Sequence, residues 1–247
     1  MVQRLGSILL DVVYPPLCAG CDRRGTWVCD WCLAQVPTLP APICRRCGVP
    51  DRLRSCQCSH LSPHLDRVRS ALPYQGWVSA AIGGFKYRDE TARAPSLANW
   101  LMPLLRDMGQ VDALVPVPLH PRRRRKRGYN QAELLAGELS RLSGVPVQSA
   151  LVRRRHTPPQ VGRDMDQRAE NVQGAFTLAS NHGLSAGGRY VIVDDVRTTG
   201  ATLGACAAAL ASEGPGWIGA ITLAWTVPTG LHGVLADLGG APPQPAI

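Results

Sequence analysis

Eight of the nine cysteines fall between Cys18 and Cys58, as Cys18-Ala-Gly-Cys21, Cys29-Asp-Trp-Cys32, Cys44-Arg-Arg-Cys47 and Cys56-Gln-Cys58. The second half repeats the first. Cys18 to Cys44, Cys21 to Cys47 and Cys32 to Cys58 are each 26 residues, and Cys29 to Cys56 is 27. A unit this small has almost no core of its own, so metal must supply much of its folding free energy. A turn of CxxC type brings two sulfurs within reach of one tetrahedral ion. The N-terminal stretch "MVQRLGSILLDVVYPP" is apolar, but Asp11 interrupts it and no small-residue cleavage site follows. It reads as a packing helix over 1–17 rather than a secretion signal. In such a chain, paired CxxC units point to metal rather than disulfides, and to the cytoplasm.

Two structural Zn²⁺ ions are therefore expected over residues 18–60. The repeat favours Cys18, Cys21, Cys29 and Cys32 around one and Cys44, Cys47, Cys56 and Cys58 around the other. A crossed arrangement, with the first and third pairs sharing an ion, uses the same residues. Four thiolates leave no open position for substrate, so neither site is catalytic. His60 and His64 read as surface residues, because the eight thiols complete two shells. Cys206, alone in an Ala-rich segment, reads as a small core residue.

A proline-bearing stretch, 61–66, separates this module from a second unit over 66–228, and a Gly/Pro-rich tail follows over 229–247. Strands are expected at "VRSALPY", at the first half of "VDALVPVPL", at Val145–Val147, at "RYVIVDD" and at "WIGAITLAW". Helices are expected at "SAAIGGFKYRD", weakened by Gly83 and Gly84, and at "LANWLMPLLRDM", kinked or restarted by Pro103. The segment 129–144 is a strong helix, with Asn130 as N-cap, Glu133 as capping-box partner and Gly144 as its stop. Between Val147 and Asn171 the chain is polar and Arg-rich. Alternating strands and helices, with unbroken apolar strands, define an α/β class with a parallel sheet. Ligands in that architecture bind beyond the carboxyl ends of the strands.

Three stretches converge there: the turn after Val117, the Arg-rich loop, and "VIVDDVRTTGAT" at 191–202. Asp194 and Asp195 can accept hydrogen bonds from neighbouring hydroxyls, as on a ribose. The following turn offers backbone N–H groups, the hydroxyls of Thr198, Thr199 and Thr202, and a helix N-terminus, a cradle for phosphate. Gly200 lets the backbone approach closely. The complementary ligand is a ribose 5-phosphate.

That stretch resembles the phosphoribosyl pyrophosphate (PRPP) motif of type I phosphoribosyltransferases. By the resemblance, Asp194 and Asp195 take the ribose hydroxyls, and Arg197, Thr198, Thr199, Gly200, Ala201 and Thr202 hold the 5-phosphate. "PVPLHPRRRRKRGYNQA", "LVRRRHTPPQ" with "NVQGAF", and Lys86-Tyr87 after a helix further resemble the ComF competence family. Its architecture is a double zinc ribbon joined to a type I phosphoribosyltransferase fold. The resemblance implies a pyrophosphate loop at Val117, Pro118, Leu119 and His120. Arg127, Gly128, Tyr129, Asn130 and Gln131 would flank it, and Arg153, Arg155, Thr157, Gln160, Arg168 and Asn171 would lie on a closing loop. It also implies Mg²⁺ with PRPP, and a cytoplasmic role in natural transformation beside the DNA-uptake helicase machinery. The chemistry implied is displacement of pyrophosphate at the sugar C1 by a nucleophile, with positioning and charge stabilisation from the protein.

The formal charge is +9. Two zinc ions held by four thiolates each would leave about +5, which still favours an anionic partner. The run Arg122–Arg127 suits single-stranded DNA as well as pyrophosphate, or a solvated face. With aromatics at 5%, contacts to DNA would be mostly to phosphates. No GxGxxG or GxxxxGK[ST] motif occurs. No apolar run approaches the ~20 residues that span a membrane. The readings that remain are a competence protein that binds PRPP and a salvage-type phosphoribosyltransferase with an unnamed acceptor.

Overall fold

The computed structural model describes residues 15–35, 39, 41–54, 56–155, 174–228 and 231. The expected helix over 1–17 lies outside them except at its last three positions. Gln160, Arg168, Thr157 and Asn171 lie outside as well, as does nearly all of the tail.

The repeat in the cysteine module is present in the backbone. An isolated bridge joins Leu17 to Arg24, and another joins Ile43 to Pro50, 26 residues on. Cys18 N–H donates to Arg23 O and Cys44 N–H to Val49 O. Asp22 N–H donates to Cys18 O and Gly48 N–H to Cys44 O. The fifth knuckle position is left-handed in both copies, at Asp22 (φ +58°) and Gly48 (φ +70°). A five-residue helix, α1 (Asp30–Ala34), follows the first knuckle.

Strands β1 (Arg67–Pro73), β2 (Ala113–Pro116), β5 (Arg189–Arg197) and β6 (Trp217–Trp225) form one parallel sheet in the order β1-β6-β5-β2. β3 (Leu151–Arg153) and β4 (Phe176–Leu178) form a separate antiparallel pair. β3 lies within the stretch read as polar and Arg-rich and β4 just beyond it, and a three-residue strand is too short to show a period. Val147 makes only a single bridge to Leu114.

Helix α2 (Gly76–Tyr87) runs through Gly83 and Gly84 unbroken. Gly84 has a reason to be there: a Cβ would sit 1.9 Å from Glu90 Oε2. The segment around Pro103 splits into α3 (Ala94–Asn99) and α4 (Met102–Asp107), with Pro103 in the first turn of α4, where its missing N–H costs nothing. The basic run forms a short helix, α5 (Pro121–Arg127). His120 Nδ1 accepts from Arg122 N–H as its cap, and Gly128 (φ +82°) ends it. Its cations crowd the C-terminal turn, where the helix dipole favours them. α6 (Gln131–Ser143) is capped by Asn130, whose Oδ1 accepts from Ala132 N–H, and ends at Gly144. Glu133 is not a capping-box partner, because its carboxylate pairs with Arg124 at 2.6 Å. α7 (Ala201–Leu210) leads to β6.

The sheet is covered on both faces. α2, α3, α4 and α6 pack with Leu72, Leu114, Val191, Val193 and Ile221. α7 and the β3–β4 pair pack with Val115, Ile192, Ala220 and Trp225. The zinc knuckles divide between these cores: Cys18, Cys29 and Cys32 belong to the first, and Cys47, Val49 and Leu53 to the second. Leu61 and Leu65, within the stretch expected to separate two units, are buried in the second core. Val68 N–H of β1 donates to Arg46 O. Arg69 donates to Asp107 Oδ2 (2.8 Å) and to the carbonyls of Cys44 and Arg45.

Candidate functional site

The cysteine sulfurs group as the repeat favoured, not crossed. Those of Cys18, Cys21, Cys29 and Cys32 lie within 4.8 Å of one another, and so do those of Cys44, Cys47, Cys56 and Cys58. Individual S–S separations are 3.7 Å (Cys18–Cys29), 3.6 Å (Cys21–Cys29), 3.5 Å (Cys44–Cys58) and 3.8 Å (Cys47–Cys56). A tetrahedron with Zn–S bonds of about 2.3 Å has edges of about 3.8 Å, so both quartets fit a zinc ion. One thiol in each is poised as a thiolate. Burial opposes ionisation at Cys18 and Cys44, but backbone N–H groups of the knuckles outweigh it and pull both down to about 6. The eight sulfurs complete two shells, and the sites are structural.

At the carboxyl edge of the sheet the expected loops meet around a cavity of 170 Å³. β5 delivers Asp194 and Asp195. Asp195 is 7% exposed and pairs with Lys86 Nζ of α2 at 2.9 Å. Burial lowers the Lys86 pKa, but Asp195 and then Asp194 more than compensate, so the ammonium is held above its usual range. Asp194 Oδ1 accepts from Asp195 N–H at 2.9 Å. Burial and the adjacent carboxylate push Asp194 up to about 7. Of the two neighbouring acids, one is ion-paired with Lys86 and the other is raised by burial and its neighbour.

The opposite wall comes from the end of β2 and the helices after it. Val117 and Leu119 line the cavity, with Asn130 and Gln131 behind them. Asn130 Nδ2 donates to Val117 O at 2.9 Å, so one residue caps α6 and pins the loop. Gln131 Nε2 and Tyr129 O–H both donate to Phe85 O, fastening α2 beside Lys86. Arg123 and Arg127, four apart on α5, face the cavity, and Arg153 of β3 closes it. The Arg153 guanidinium lies 5.3 Å from the Phe176 ring centroid. Thr202 stands on the floor at the start of α7. Thr199 Oγ1 accepts from Ala201 N–H, and Gly200 (φ +89°) turns the chain into α7. A Cβ on Gly200 would lie 3.2 Å from Leu61.

Other expected residues stand elsewhere. Pro118 and His120 are partly buried but do not line the cavity, and Thr198 and Arg155 are exposed. Arg197 is expected in the phosphate cradle by the resemblance. Its side chain does not join the phosphate cradle but turns to the second knuckle, donating to Cys47 O and, at 2.7 Å, to Gln57 Oε1. Strict alternation along β5 would put it on the same face as Asp195. Val196 instead packs on the side of Val191 and Val193, so the alternation slips by one and Arg197 points to the other face, its guanidinium 5.5 Å from the Trp225 ring. Lys86, Arg123 and Tyr87 are site residues that the motif reading did not place in the cavity. The signal for Lys86 was a buried-face lysine at the end of an apolar helix.

A wider groove of 440 Å³ continues from the cavity, lined by Tyr87, Asp89, Arg123, Lys126, Arg127 and Tyr129. Tyr87 is 79% exposed there, with Arg127 5.5 Å from its ring.

The fold and site define a double zinc ribbon joined to a phosphoribosyltransferase domain: residues 9–62 match the double zinc ribbon domain and residues 126–236 the phosphoribosyl transferase domain. The chain is 32% identical to competence protein F of Haemophilus influenzae over 71% of its length and 80% of that protein. It is 31% identical to the DNA utilization protein YhgH of Escherichia coli, over 81% and 92% of the two chains. Identity with competence protein ComFC of Bacillus subtilis is 27%, over 76% and 79%. The chain belongs to the competence protein F family. Among solved structures it is similar to adenine phosphoribosyltransferase of Saccharomyces cerevisiae, at 13% identity over 66% and 81% of the chains, with a TM-score of 0.37. Among the described residues no helix is long and apolar enough to cross a membrane.

Proposed function

We propose that the protein binds PRPP with Mg²⁺ in the cavity at the carboxyl edge of the sheet and acts in the cytoplasm in the uptake of DNA during competence. One observation carries the ligand. Two carboxylates, one paired with a partly buried lysine, face three arginines across a cavity whose floor is a Thr/Gly turn at a helix N-terminus. Asp194 and Asp195 would accept from the ribose hydroxyls, and the turn 198–202 would receive the 5-phosphate. The Val117–His120 loop with Arg123, Arg127 and Arg153 would take the pyrophosphate. Mg²⁺, when bound, would neutralise part of the pyrophosphate charge. The cavity supplies cations for a departing pyrophosphate, and none of its described side chains is placed as a nucleophile, so an attacking group would come from an acceptor. Asp194→Asn with Asp195→Asn is expected to abolish PRPP binding measured by calorimetry in the presence of Mg²⁺. Unchanged binding would sink the assignment.

The DNA role is supported by the names and coverage of the relatives and by the way α5 divides its charge. Arg123 and Arg127 turn inward, while Arg122, Arg125 and Lys126 are exposed. That outer face, with the groove beside Tyr87, offers phosphate contacts and one aromatic surface for a single strand. Arg122→Ala with Arg125→Ala should lower single-stranded DNA affinity, flatten its dependence on salt by about two charges, and leave PRPP binding within about twofold. Equal loss of both ligands would place the whole run on the pyrophosphate.

A further inference from the structure

We infer that Arg197 is a positioning residue that couples the second zinc site to the phosphate turn, so that occupancy of that site, and not of the first, sets the geometry of residues 198–204. The inference rests on the reading of this turn as a phosphate cradle, but its main readouts do not.

Arg197 is the last residue of β5, and the turn begins at the next position. It is 2% exposed. No carboxylate among the described residues pairs with it, and its Nε is buried without a hydrogen-bond partner. Its fork spans both halves of the second quartet. One nitrogen donates to the carbonyl of Cys47, a ligand in the first half. The other donates to Gln57, which sits between the ligands Cys56 and Cys58 in the second. A zinc ion with four thiolates carries two negative charges, the counter-charge a buried guanidinium lacks elsewhere.

The chain leaving the quartet then rests on the turn. Leu61 packs where Gly200 lacks a Cβ, and Ser62 packs where Gly204 lacks one, at 3.2 and 3.0 Å. Arg46, between the ligands Cys44 and Cys47, holds that segment by donating to Ser62 O (3.0 Å) and Leu65 O (3.2 Å). If the ion leaves, the two halves of the quartet lose their common tie, and Arg197 cannot keep both partners. The turn loses its anchor at one end and its packing along one side.

Among the described residues the first quartet makes no hydrogen bond to the turn 198–204. It meets the Trp77 end of α2, whereas Lys86 is nine residues along, about 13 Å at 1.5 Å per residue.

Coupling of this kind is reciprocal, so breaking the strut should loosen the metal as well as the turn. In the zinc-loaded full chain, Arg197→Ala should speed release of one of two zinc equivalents to a chelator by about tenfold, the range seen for outer-shell partners of metal ligands. Amides of 198–204 should exchange with solvent about tenfold faster, with those of 15–35 unchanged. Gln57→Ala, a milder cut at a partly exposed residue, should shift both in the same direction by about threefold and covers the case in which Arg197→Ala does not fold. Arg197→Lys keeps the charge but not the fork, and should fall between. The inference is overturned if Gln57→Ala leaves zinc release and 198–204 exchange at wild-type values, or if both zinc equivalents leave faster together. PRPP binding by these variants then reports separately. A wild type that binds no PRPP removes the proposed ligand, while zinc release and exchange still decide the strut.

Discussion

The two zinc knuckles are copies of one unit, yet the protein uses them differently. Each has the same bridge, the same turn hydrogen bonds and the same left-handed position. In the first knuckle that position is Asp22, exposed to solvent. In the second it is Gly48, and a Cβ there would meet Val68 O of β1 at 2.5 Å. One buried arginine, Arg93, holds the first knuckle through the carbonyls of Leu17 and Trp27 and lies 4.5 Å from the Trp27 ring. Three hold the second: Arg46, Arg69 and Arg197. A repeated unit has thus diverged into a knuckle laid against helices and one built into the sheet and the turn beside the cavity. Metal spacing constrains the copies equally, and neighbours do not.

The largest test of that difference exchanges the residues at the equivalent positions. Gly48→Asp puts a side chain against β1 backbone at a positive φ, and a loss of about 3 kcal/mol or more, or failure to fold, is expected in denaturant unfolding. Asp22→Gly should change stability by less than about 1 kcal/mol. Equal effects would show that both knuckles sit against the body alike.

Next come the two exposed ligands, Cys21 and Cys56, whose replacement leaves no core cavity. Cys21→Ser and Cys56→Ser should each lower zinc content by about one equivalent in elemental analysis. Cys56→Ser should weaken PRPP binding by about tenfold, and Cys21→Ser by less than about twofold. A reversed order would refute the asymmetry.

The smallest effect concerns pH. Asp194 ordinarily titrates at 3.8 and is raised to about 7 in the folded protein. The stabilisation from its retained proton is therefore fully present below 3.8 and is lost as pH rises through about 7. Thermal unfolding of the free protein should show that slope and Asp194→Asn should flatten it. A ligand that needs the ionised carboxylate should bind about threefold better at pH 7.5 than at pH 6.5. Cys21→Ser should keep this pH profile, because the first knuckle lies away from the cavity.

Much of this arrangement is legible in the chain. Cysteine spacing reports the metal quartets because a tetrahedron needs two short turns whatever surrounds them. The apolar runs of β5 and β6 report a sheet covered on both faces, and Asn130 and Gly144 mark α6 through local backbone demands. Asp194 and Asp195 at a strand end before a Thr/Gly turn report the site, since strand, acid and turn are contiguous. Arg197 is the motif residue whose side chain turns away from the cavity. Its neighbours in sequence are cradle residues, but its neighbours in space are Cys47 and Gln57, about 150 and 140 positions away. The basic run divides into inward and outward charges only once α5 forms.

By itself the sequence determined the zinc repeat, the α/β class and the loop that carries two acids and a Thr/Gly turn, because each depends on residues close together in the chain. The tertiary structure decided which knuckle touches the sheet, that Lys86 neutralises Asp195, which arginines of the run face the cavity, and that Arg197 leaves it. Those outcomes depend on which distant backbone carbonyls, rings and charges packing brings within a few ångströms, and no local spacing encodes that.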